Sequence, residues 1–407
     1  MTKIKKPGIE ELVKGSLYPQ EQLEKVKSGK NSFYIGLPRE ISFQENRVSL
    51  TPDAVELLTN NGHRIRVERG AGLKSKFTDH EYSEAGAEIV NTPKEAYEAQ
   101  IILKIEPPTA KEMDYLGPGK VLLSALQLGN QDAEYVKSLM SKRITAIAFE
   151  FIEDKVGGFP IVRAMSEIAG STVMLIAAEY LSSVNDGRGV ILGGITGVPP
   201  TQVVIVGAGT VAEYAARTAL GLGADIQIFD NHIHKLRRIR HALGQQVYTS
   251  TVDTKTLSDS LKNADVVIGA VRLDKNQRRI MITEEMVMNM KPNSVIIDCS
   301  IDQGGCVETS RITTHKNPVF RKYDVIHYCV PNIPSRVART ATTALSNIFT
   351  PTILRASEDG GIEDMIFTHK WFMKGVYIYN GSLTNEILGR KFKIKHKDLN
   401  LIMAARF

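Results

Sequence analysis

An apolar strand, a glycine-rich turn and a helix follow one another in mid-chain and constrain the fold more than any other feature. Residues 203–206 read VVIV, and the sequence GAGTVA follows them at 207–212. This is the GxGxxA form of the dinucleotide-binding motif, in which Gly207 permits the tight turn, Gly209 lets the backbone approach a pyrophosphate and Ala212 allows close helix packing. Thr210 and Val211 begin the following helix, where their backbone N–H groups would face the phosphates. The sequence therefore predicts a dinucleotide-binding Rossmann unit.

An acidic residue stands where this motif requires one. The second strand, 226–229, ends at Asp230, about 20 residues beyond the glycines, and a helix is predicted over 232–243. A carboxylate there accepts hydrogen bonds from ribose hydroxyls and repels a 2′-phosphate, so NAD is favoured over NADP. Lys235, on the following helix, is a further candidate cofactor contact because it could tolerate a phosphate.

Strand and helix patterns alternate along most of the chain, which predicts two Rossmann-like α/β domains. We expect the substrate domain to comprise residues 1–165 and 335–407, with 1–30 as an N-terminal helical arm or loose extension. The doubly wound cofactor domain, 166–334, would be inserted between them. Predicted strands are 33–37, 64–68, 100–104, 120–124, 144–149, 203–206, 226–229, 246–249, 265–269, 294–298 and 325–329. Predicted helices are 52–61, 79–86, 93–98, 131–141, 165–181, 210–222, 232–243 and 336–356.

Composition excludes several classes of protein. The chain has 407 residues with 51 basic and 45 acidic side chains, a modest bias that does not favour a nucleic-acid partner. The basic stretch 235–240 is interpreted as a solvated helix face. The three cysteines lack metal-ligand spacing, so we expect free thiols, a reducing compartment and no metal. No apolar run of about 18 residues and no secretory signal are found, which predicts a cytoplasmic protein without a membrane partner.

Several segments together resemble the alanine dehydrogenase family, which is related to the α subunit of transhydrogenase. Residues 35–40 (IGLPRE) and 45–52 (ENRVSLTP) resemble the family's opening IGVPKE and NExRVALTP. Further similar segments are 69–72 (RGAG), 164–170 (AMSEIAG), 300–305 (SIDQGG) and 330–334 (VPNIP). Transhydrogenase α subunits carry an AAQNGGN-type sequence where this chain has SIDQGG. The resemblance therefore favours the dehydrogenase branch, whose members are homo-oligomers and often hexamers.

The resemblance implies roles for particular residues. Arg47 would hold the substrate carboxylate, a task that suits a planar guanidinium. Asp302 would lie between substrate and cofactor, as an acid or base or as a group that orients water and amine. The remaining implied contacts line the substrate and the nicotinamide end of the cofactor: Met165, Ser166, Asn332 and Ile333.

Two positions depart from the family pattern. The family's catalytic histidine lies in a YLHLA segment, and Gln127 stands at the matching position in SALQL. A glutamine side chain does not carry a proton near neutral pH. The family's KVKEP supplies a substrate-binding lysine, whereas this chain reads LKIEP at 103–107. Either Lys104 takes that role through a one-residue slip, or Glu106 occupies the position.

The sequence leaves three functional hypotheses open. The first is NAD-dependent, reversible oxidative deamination of L-alanine to pyruvate and ammonia, with Asp302 and either Lys104 or Glu106 in a rearranged acid–base set. The second is a dehydrogenase of another amino or imino acid, whose side chain Glu106 and Gln127 recognise. The third is a catalytically impaired regulatory protein that binds NAD. Arg47 and Asp302 argue against the third hypothesis, because a pure binding module needs no clamp for a substrate carboxylate.

Overall fold

The computed structural model describes residues 31–128, 130–272 and 280–404. The N-terminal extension predicted over residues 1–30 lies outside them. Two β-sheets with flanking helices organise the described chain, one of eight strands and one of seven. The fold is that of two Rossmann-like α/β units, as the alternation of strands and helices predicts.

The eight-stranded sheet is formed mainly by the first part of the chain. Its six parallel strands are Tyr34–Leu37 (β1), Arg64–Glu68 (β2), Glu88–Val90 (β3), Ile101–Leu103 (β4), Val121–Ser124 (β5) and Thr145–Ala148 (β6). Helices lie between the strands: Pro52–Asn60 (α1), Asp79–Glu84 (α2), Pro93–Ala96 (α3), Ala110–Met113 (α4) and Ala133–Ser141 (α5). Strands β4 and β5 are central and almost wholly apolar, which is typical of parallel strands covered on both faces.

A 22-residue helix, Pro160–Leu181 (α6), leads from the first sheet to the second. It begins with a proline at its first turn, a position where the missing N–H has no consequence. In the described part of the chain it is the one helix long and apolar enough to cross a membrane, whereas the sequence analysis found no such run. One helix of this kind is weak evidence for a span. Its contacts with the second domain and with the last long helix account for its apolar residues.

The seven-stranded sheet forms the dinucleotide-binding unit. Its strands are Gln202–Val206 (β7), Asp225–Phe229 (β8), Tyr248–Ser250 (β9), Val266–Gly269 (β10), Val295–Asp298 (β11), Val319–Lys322 (β12) and Val325–Tyr328 (β13). Its helices are Thr210–Gly221 (α7), Ile233–Leu243 (α8), Thr254–Asn263 (α9) and Glu284–Met288 (α10). The strand order is β12-β13-β11-β10-β7-β8-β9, and only β12 is antiparallel to its neighbour. The order reverses between β7 and β10, where such sheets bind ligands.

The chain then returns to the first sheet. The helix Ala338–Glu358 (α11) contacts both α6 and α1, and Ile362–Thr368 (α12) and Lys370–Met373 (α13) follow it. Val376–Tyr379 (β14) pairs antiparallel with β6, and Ser382–Leu383 (β15) forms the sheet edge. Glu386–Phe392 (α14) and Leu399–Ala404 (α15) end the described chain. The first unit is therefore assembled from both ends of the sequence.

Most predicted elements are confirmed within a few residues, including β7, α7, β8 and α8. The predicted helix 165–181 begins earlier, at Pro160, and the predicted helix 336–356 spans 338–358. The sequence missed β3, β12, β14 and β15, together with α4, α9, α10 and the helices after α11. The exact residues at which the two domains divide remain a prediction.

Candidate active site

The turn after β7 is closed by backbone contacts that admit glycine alone at its first position. Gly207 has a φ of +114°, in the region that side chains rarely adopt. A Cβ atom there would lie 2.3 Å from the carbonyl oxygen of Ala270, which follows β10. The amide of Gly207 also donates to the carbonyl of Phe229 at 2.6 Å. The first glycine of the motif is thus required by the packing of β7, β8 and β10.

Helix α7 starts at this turn without a side-chain cap. Gly209 is its N-cap residue, and no side chain in the described part of the chain accepts from the first-turn amides of Thr210, Val211 and Ala212. A Cβ atom added to Gly209 would meet no atom within 4 Å. Open space in front of uncapped helix amides is the arrangement that phosphate groups occupy at such turns. The residues present therefore fit a dinucleotide.

Helix α6 approaches this first turn closely. A Cβ atom on Gly170 would lie 2.4 Å from the carbonyl oxygen of Val211. Ala212 is fully buried in the same contact region. The AMSEIAG segment thus places Met165 and Ser166 one to two helical turns before the point where α6 touches α7.

Asp230 follows β8, and its carboxylate reaches the glycine turn. Oδ2 accepts from the amide of Ala208 at 2.9 Å, and Oδ1 accepts from the amide of His232 at 2.8 Å. Burial opposes ionisation of Asp230, but the hydrogen bonds from His232 and Ala208 prevail and lower its pKa. Lys235, one turn into α8, adds a favourable charge. The carboxylate is ionised and lies at the ribose end of the predicted cofactor position.

One residue of the basic stretch 235–240 on α8 contacts the glycine turn. Arg238 donates to the carbonyl of Ala208 at 3.0 Å and to Glu213 at 2.6 Å. Its side chain is still about half exposed. The interpretation of 235–240 as a solvated face therefore holds only in part, because Arg238 braces the glycine turn.

Asp302 lies on a short 3₁₀ helix, Ile301–Gln303, that follows β11. It is exposed, and Gly304 and Gly305 after it both have positive φ values. The preceding Ser300 donates from its hydroxyl to the carbonyl of Val271 at 2.7 Å, which ties this loop to the segment after β10. Asp302 and Gly207 therefore lie at the same edge of the sheet, where the carboxyl ends of β7, β10 and β11 meet.

Arg47 is the centre of a second, charged cluster. Its guanidinium donates to both carboxylate oxygens of Glu45, from Nε to Oε1 at 2.8 Å and from Nη2 to Oε2 at 2.5 Å. The Sδ atom of Met165, on α6, lies 3.3 Å from Nη1 of Arg47. Burial alone would lower the pKa of Arg47, but Glu45 prevails and raises it. Arg47 is therefore a fixed cation, as a carboxylate clamp requires.

The Arg47 loop is held by the segment that follows β13. Asn332, with a left-handed φ of +56°, donates from Nδ2 to Oε2 of Glu45 at 2.9 Å. Ser335 accepts from the amide of Asn46 at 2.9 Å and donates to the carbonyl of Gln44 at 2.6 Å. Ile333, next to Asn332, is buried. Asn332 and Ser335 thus connect the Arg47 loop to the cofactor-binding unit.

Glu106 and Gln127, at the positions that depart from the family pattern, lie in contact with each other, and Glu106 also lies beside Arg47. Gln127 donates from Nε2 to Oε2 of Glu106 at 3.3 Å, and Oε1 of Glu106 lies 3.8 Å from Nη2 of Arg47. Burial, followed by the charge of Glu45, raises the pKa of Glu106 to about 7. Gln127 has a left-handed φ of +45°, which is uncommon for a side chain of this kind.

Lys104 takes a different position. Its side chain is completely buried, and its Nζ lies 3.1 Å from Glu40 and 3.3 Å from Glu112. Burial would lower the pKa of Lys104, but the two carboxylates raise it. Glu106 lies two residues further along, after the end of β4, and contacts Arg47 and Gln127 instead. The geometry gives Lys104 a structural ion pair and does not support the expectation that it contacts substrate.

Glu150, which the sequence analysis did not single out, contacts the backbone of Gln127. It follows β6 and accepts from the amide of Gln127 at 3.0 Å, while its second oxygen is buried and has no hydrogen-bond partner among the residues that the structure describes. Burial raises the pKa of Glu150 to about 7. Among the described residues, no group of three or more His, Cys, Asp or Glu side chains is arranged to hold a metal ion.

Comparison with known proteins identifies the family. The model of the alanine dehydrogenase/PNT N-terminal domain matches residues 36–169, and the model of the C-terminal domain matches residues 173–386. The chain belongs to the alanine dehydrogenase/PNT family. The alanine dehydrogenases of Methanococcus maripaludis and Bacillus subtilis are each 40% identical to it over 88% of this chain, which covers 95% and 94% of theirs. The resemblance seen in the sequence is thereby confirmed.

Solved structures agree with this membership. An L-alanine dehydrogenase superposes with a TM-score of 0.82 at 35% identity, covering 88% of this chain and 99% of that chain. A transhydrogenase from Sinorhizobium meliloti superposes with a TM-score of 0.74 at 22% identity, covering 87% and 99%. The second likeness shows the fold alone. Family membership implies a nicotinamide dinucleotide cofactor, which the uncapped start of α7 fits.

Sequence reasoning missed three residues at these sites, namely Glu45, Glu150 and Arg238. Glu45 stands two residues before Arg47 in a motif that was already quoted, so the charge pair was available from the sequence. Glu150 follows a predicted parallel strand, and side chains after such strands gather at one edge. Arg238 gave no signal, since nothing distinguishes it in sequence from its basic neighbours.

Proposed function

We propose that this chain is an NAD-dependent alanine dehydrogenase that converts L-alanine to pyruvate and ammonia, and catalyses the reverse reaction. The observation that carries the proposal is the buried Arg47, fixed by Glu45 beside a partly exposed group, Glu106. A fixed guanidinium is suited to bind the carboxylate of a small amino acid with two hydrogen bonds. The relatives named alanine dehydrogenase, at about 40% identity over nearly their whole length, support this substrate.

The cofactor residues are assigned from the geometry of the turn. The amides of Gly209, Thr210, Val211 and Ala212 would hold the pyrophosphate, with Gly207 giving room for the turn. Asp230 would accept from the ribose hydroxyls and repel a 2′-phosphate, which favours NAD over NADP. Lys235 would lie beside that ribose. The nicotinamide end would be lined by Ser166, Asp302, Asn332 and Ile333.

The substrate would be oriented by the charged cluster. Arg47 would bind the carboxylate, with Met165 and Asn332 limiting the space around it. Acceptance of a hydride from Cα is the chemistry that the bound dinucleotide supplies. Asp302 would position or deprotonate the water that attacks the resulting imine, after which ammonia leaves. Closure of the cleft between the two units would exclude bulk water from these steps.

A second candidate follows from the two departures. Glu106 stands beside Arg47 and Gln127 contacts Glu106, at the positions where the family pattern has a lysine and a histidine. An acidic and an amide group in that position would also suit an amino or imino acid with a polar or cationic side chain. This alternative retains Arg47, the cofactor and the reaction type, and changes only the substrate.

An assay in both directions tests the proposal. We expect purified protein to form NADH from L-alanine and NAD, and to consume NADH with pyruvate and ammonia. A panel of other amino acids, run at the same concentrations, separates the two candidates. NAD binding without turnover of any amino acid would contradict both.

We propose three further properties, the first from family membership and the other two from the sequence pattern. We expect a homo-oligomer, with the hexamer as the form to look for. Light scattering of the purified protein would measure its molar mass. We expect a cytoplasmic protein that needs no membrane or nucleic acid for activity. We also expect the domain division at residues 165/166 and 334/335, which limited proteolysis would locate.

A further inference from the structure

The contact between Glu106 and Gln127 places a carboxyl group next to the substrate clamp. Glu106 lies 3.8 Å from Arg47 and accepts from Gln127 at 3.3 Å, and about a fifth of its side chain is exposed. Glu45, the other carboxylate on Arg47, is completely buried and uses both oxygens in the ion pair. Of these two carboxylates, only Glu106 is accessible to a small molecule.

The chemistry of an α-amino acid brings its ammonium group to this carboxyl. The carboxylate and the ammonium are attached to the same carbon, so a substrate held by Arg47 has its nitrogen within a few ångströms of the guanidinium. A general base must lie within hydrogen-bond reach of the proton that it removes. Glu106 is suited to meet this condition, because its partly exposed carboxyl group lies 3.8 Å from Nη2 of Arg47.

The groups around Glu106 set its affinity for a proton. Burial and the charges of Glu45 and Glu40 favour the protonated form, while Arg47 and Lys104 favour the carboxylate. The result is a pKa of about 7, which is suited to proton transfer near neutral pH. Gln127 does not titrate there and cannot substitute for a histidine.

We propose that Glu106 accepts the proton that leaves the substrate ammonium, and that Gln127 is its positioning residue. The inference rests on the proposed amino-acid oxidation. An N–H bond of the ammonium breaks and an O–H bond forms on Glu106, which leaves a neutral amine. The nitrogen lone pair then forms the C=N bond as Cα gives up its hydrogen with two electrons to the oxidised nicotinamide dinucleotide. In the reverse reaction, Glu106 returns the proton.

Gln127 is suited to positioning because its own backbone is fixed. Its amide donates to Glu150 at 3.0 Å, and this contact holds the left-handed φ of +45°. Uncommon backbone conformations of this kind persist where the surrounding structure imposes them. The side-chain amide then donates to Glu106 and stabilises its ionised form.

The central experiment is the pH dependence of kcat/KM for L-alanine oxidation by the full-length enzyme and by Glu106→Gln. Glu106 must be ionised to accept a proton, so the wild-type rate should fall as the pH drops below about 7. Glu106→Gln should lose about 10²–10⁴-fold in kcat/KM and lose that acidic limb. Glu134→Gln, which makes the same change on an exposed helix face, is the matched control and should retain both.

Two further measurements keep the inference testable if Glu106→Gln does not fold. Gln127→Met removes the hydrogen bond to Glu106, so the acidic limb should move to higher pH. In protein labelled with ¹³C at the glutamate side-chain carboxyls, Glu106 and Glu150 should both give signals that titrate near pH 7, and only the Glu106 signal should titrate at higher pH in Gln127→Met. Wild-type spectra without two such signals, or two signals that both titrate unchanged in Gln127→Met, would overturn the inference.

The outcomes separate this inference from the proposed function. If the wild type oxidises L-alanine and Glu106→Gln keeps both its rate and its acidic limb, Glu106 is not the proton acceptor and the proposed function stands. If the wild type binds NAD but oxidises no amino acid, the proposed function fails, and the inference that rests on it fails as well.

Discussion

The glycine turn after β7 and the charged cluster around Arg47 are held by different kinds of contact. At the turn, the space available to the chain is set by backbone atoms, such as the Ala270 carbonyl that faces Gly207. At the cluster, the carboxylates of Glu45 and Glu106 hold one guanidinium, and Asn332 holds Glu45 in turn. Backbone geometry tolerates little change, whereas a charged cluster can exchange one polar side chain for another of different charge. The difference explains why the cofactor motif matches its family and the substrate end departs from it.

Removal of the Arg47 guanidinium should have the largest effect. We expect Arg47→Ala to lower kcat/KM for L-alanine by about 10³-fold, because the substrate carboxylate loses a charged bidentate partner. The buried Glu45 would also lose its counter-ion, which costs about 3–5 kcal/mol of unfolding free energy. Steady-state kinetics and urea unfolding measure the two effects. Arg69→Ala, at an exposed arginine, is the control, and equal kinetics in both variants would remove Arg47 from the site.

A pair of glycine substitutions should separate fold from cofactor binding at the turn. Gly207→Ala forces a Cβ against the Ala270 carbonyl at a positive φ, so it should lower both stability and NAD affinity. Gly209→Ala meets no protein atom within 4 Å, so it should keep its thermal midpoint and lose about tenfold or more in NAD affinity through crowding of the pyrophosphate. Calorimetric NAD binding is the measurement. Unchanged NAD affinity in Gly209→Ala would place the pyrophosphate elsewhere.

A smaller effect is expected at Asp302, which lies at the same sheet edge as the glycine turn. Asp302→Asn keeps the shape of the side chain but removes its charge. Turnover should fall by at least about tenfold, since a base or a water-orienting group is lost, while NAD affinity stays nearly the same. An unchanged kcat would remove Asp302 from the mechanism and leave Glu106 as the one acid–base group assigned.

The smallest effect on turnover is expected at Lys104. Lys104→Met leaves Glu40 and Glu112 without their buried cation, so the protein should lose about 3–5 kcal/mol of unfolding free energy. Turnover per folded molecule should stay close to that of the wild type. The double variant Lys104→Met/Glu112→Gln removes one of the stranded charges and should recover part of the stability. A well-folded Lys104→Met protein without turnover would restore Lys104 as a substrate-binding residue.

The sequence predicted the parts of the molecule that depend on local pattern. The strand–turn–helix from 202 to 221 follows from the spacing of Gly207, Gly209 and Ala212, and its boundaries agree within a residue or two. Strands β3, β12 and β14 have only three or four residues, and their formation depends on pairing with distant strands. No local pattern reports such pairing.

The substrate end was predictable only in part. The motif singled out Arg47, and the departures singled out Glu106 and Gln127. Glu106 follows β4 and Gln127 follows β5, 21 residues later in sequence. Their contact depends on the adjacency of these two strands. Burial, which raises the pKa of Glu106, is likewise a property of the folded chain. The burial of Lys104 between two carboxylates was hidden for the same reason, since Glu40 comes from a segment 64 residues away.

The central claim is that a hydrogen moves with its electrons from Cα of L-alanine to the cofactor. The most direct test is the oxidation of L-alanine deuterated at Cα with NAD, followed by mass spectrometry of the NADH that forms. The account predicts one deuterium atom in each NADH and none in the solvent. Unlabelled NADH, or no NADH from alanine while NAD remains bound, would contradict it.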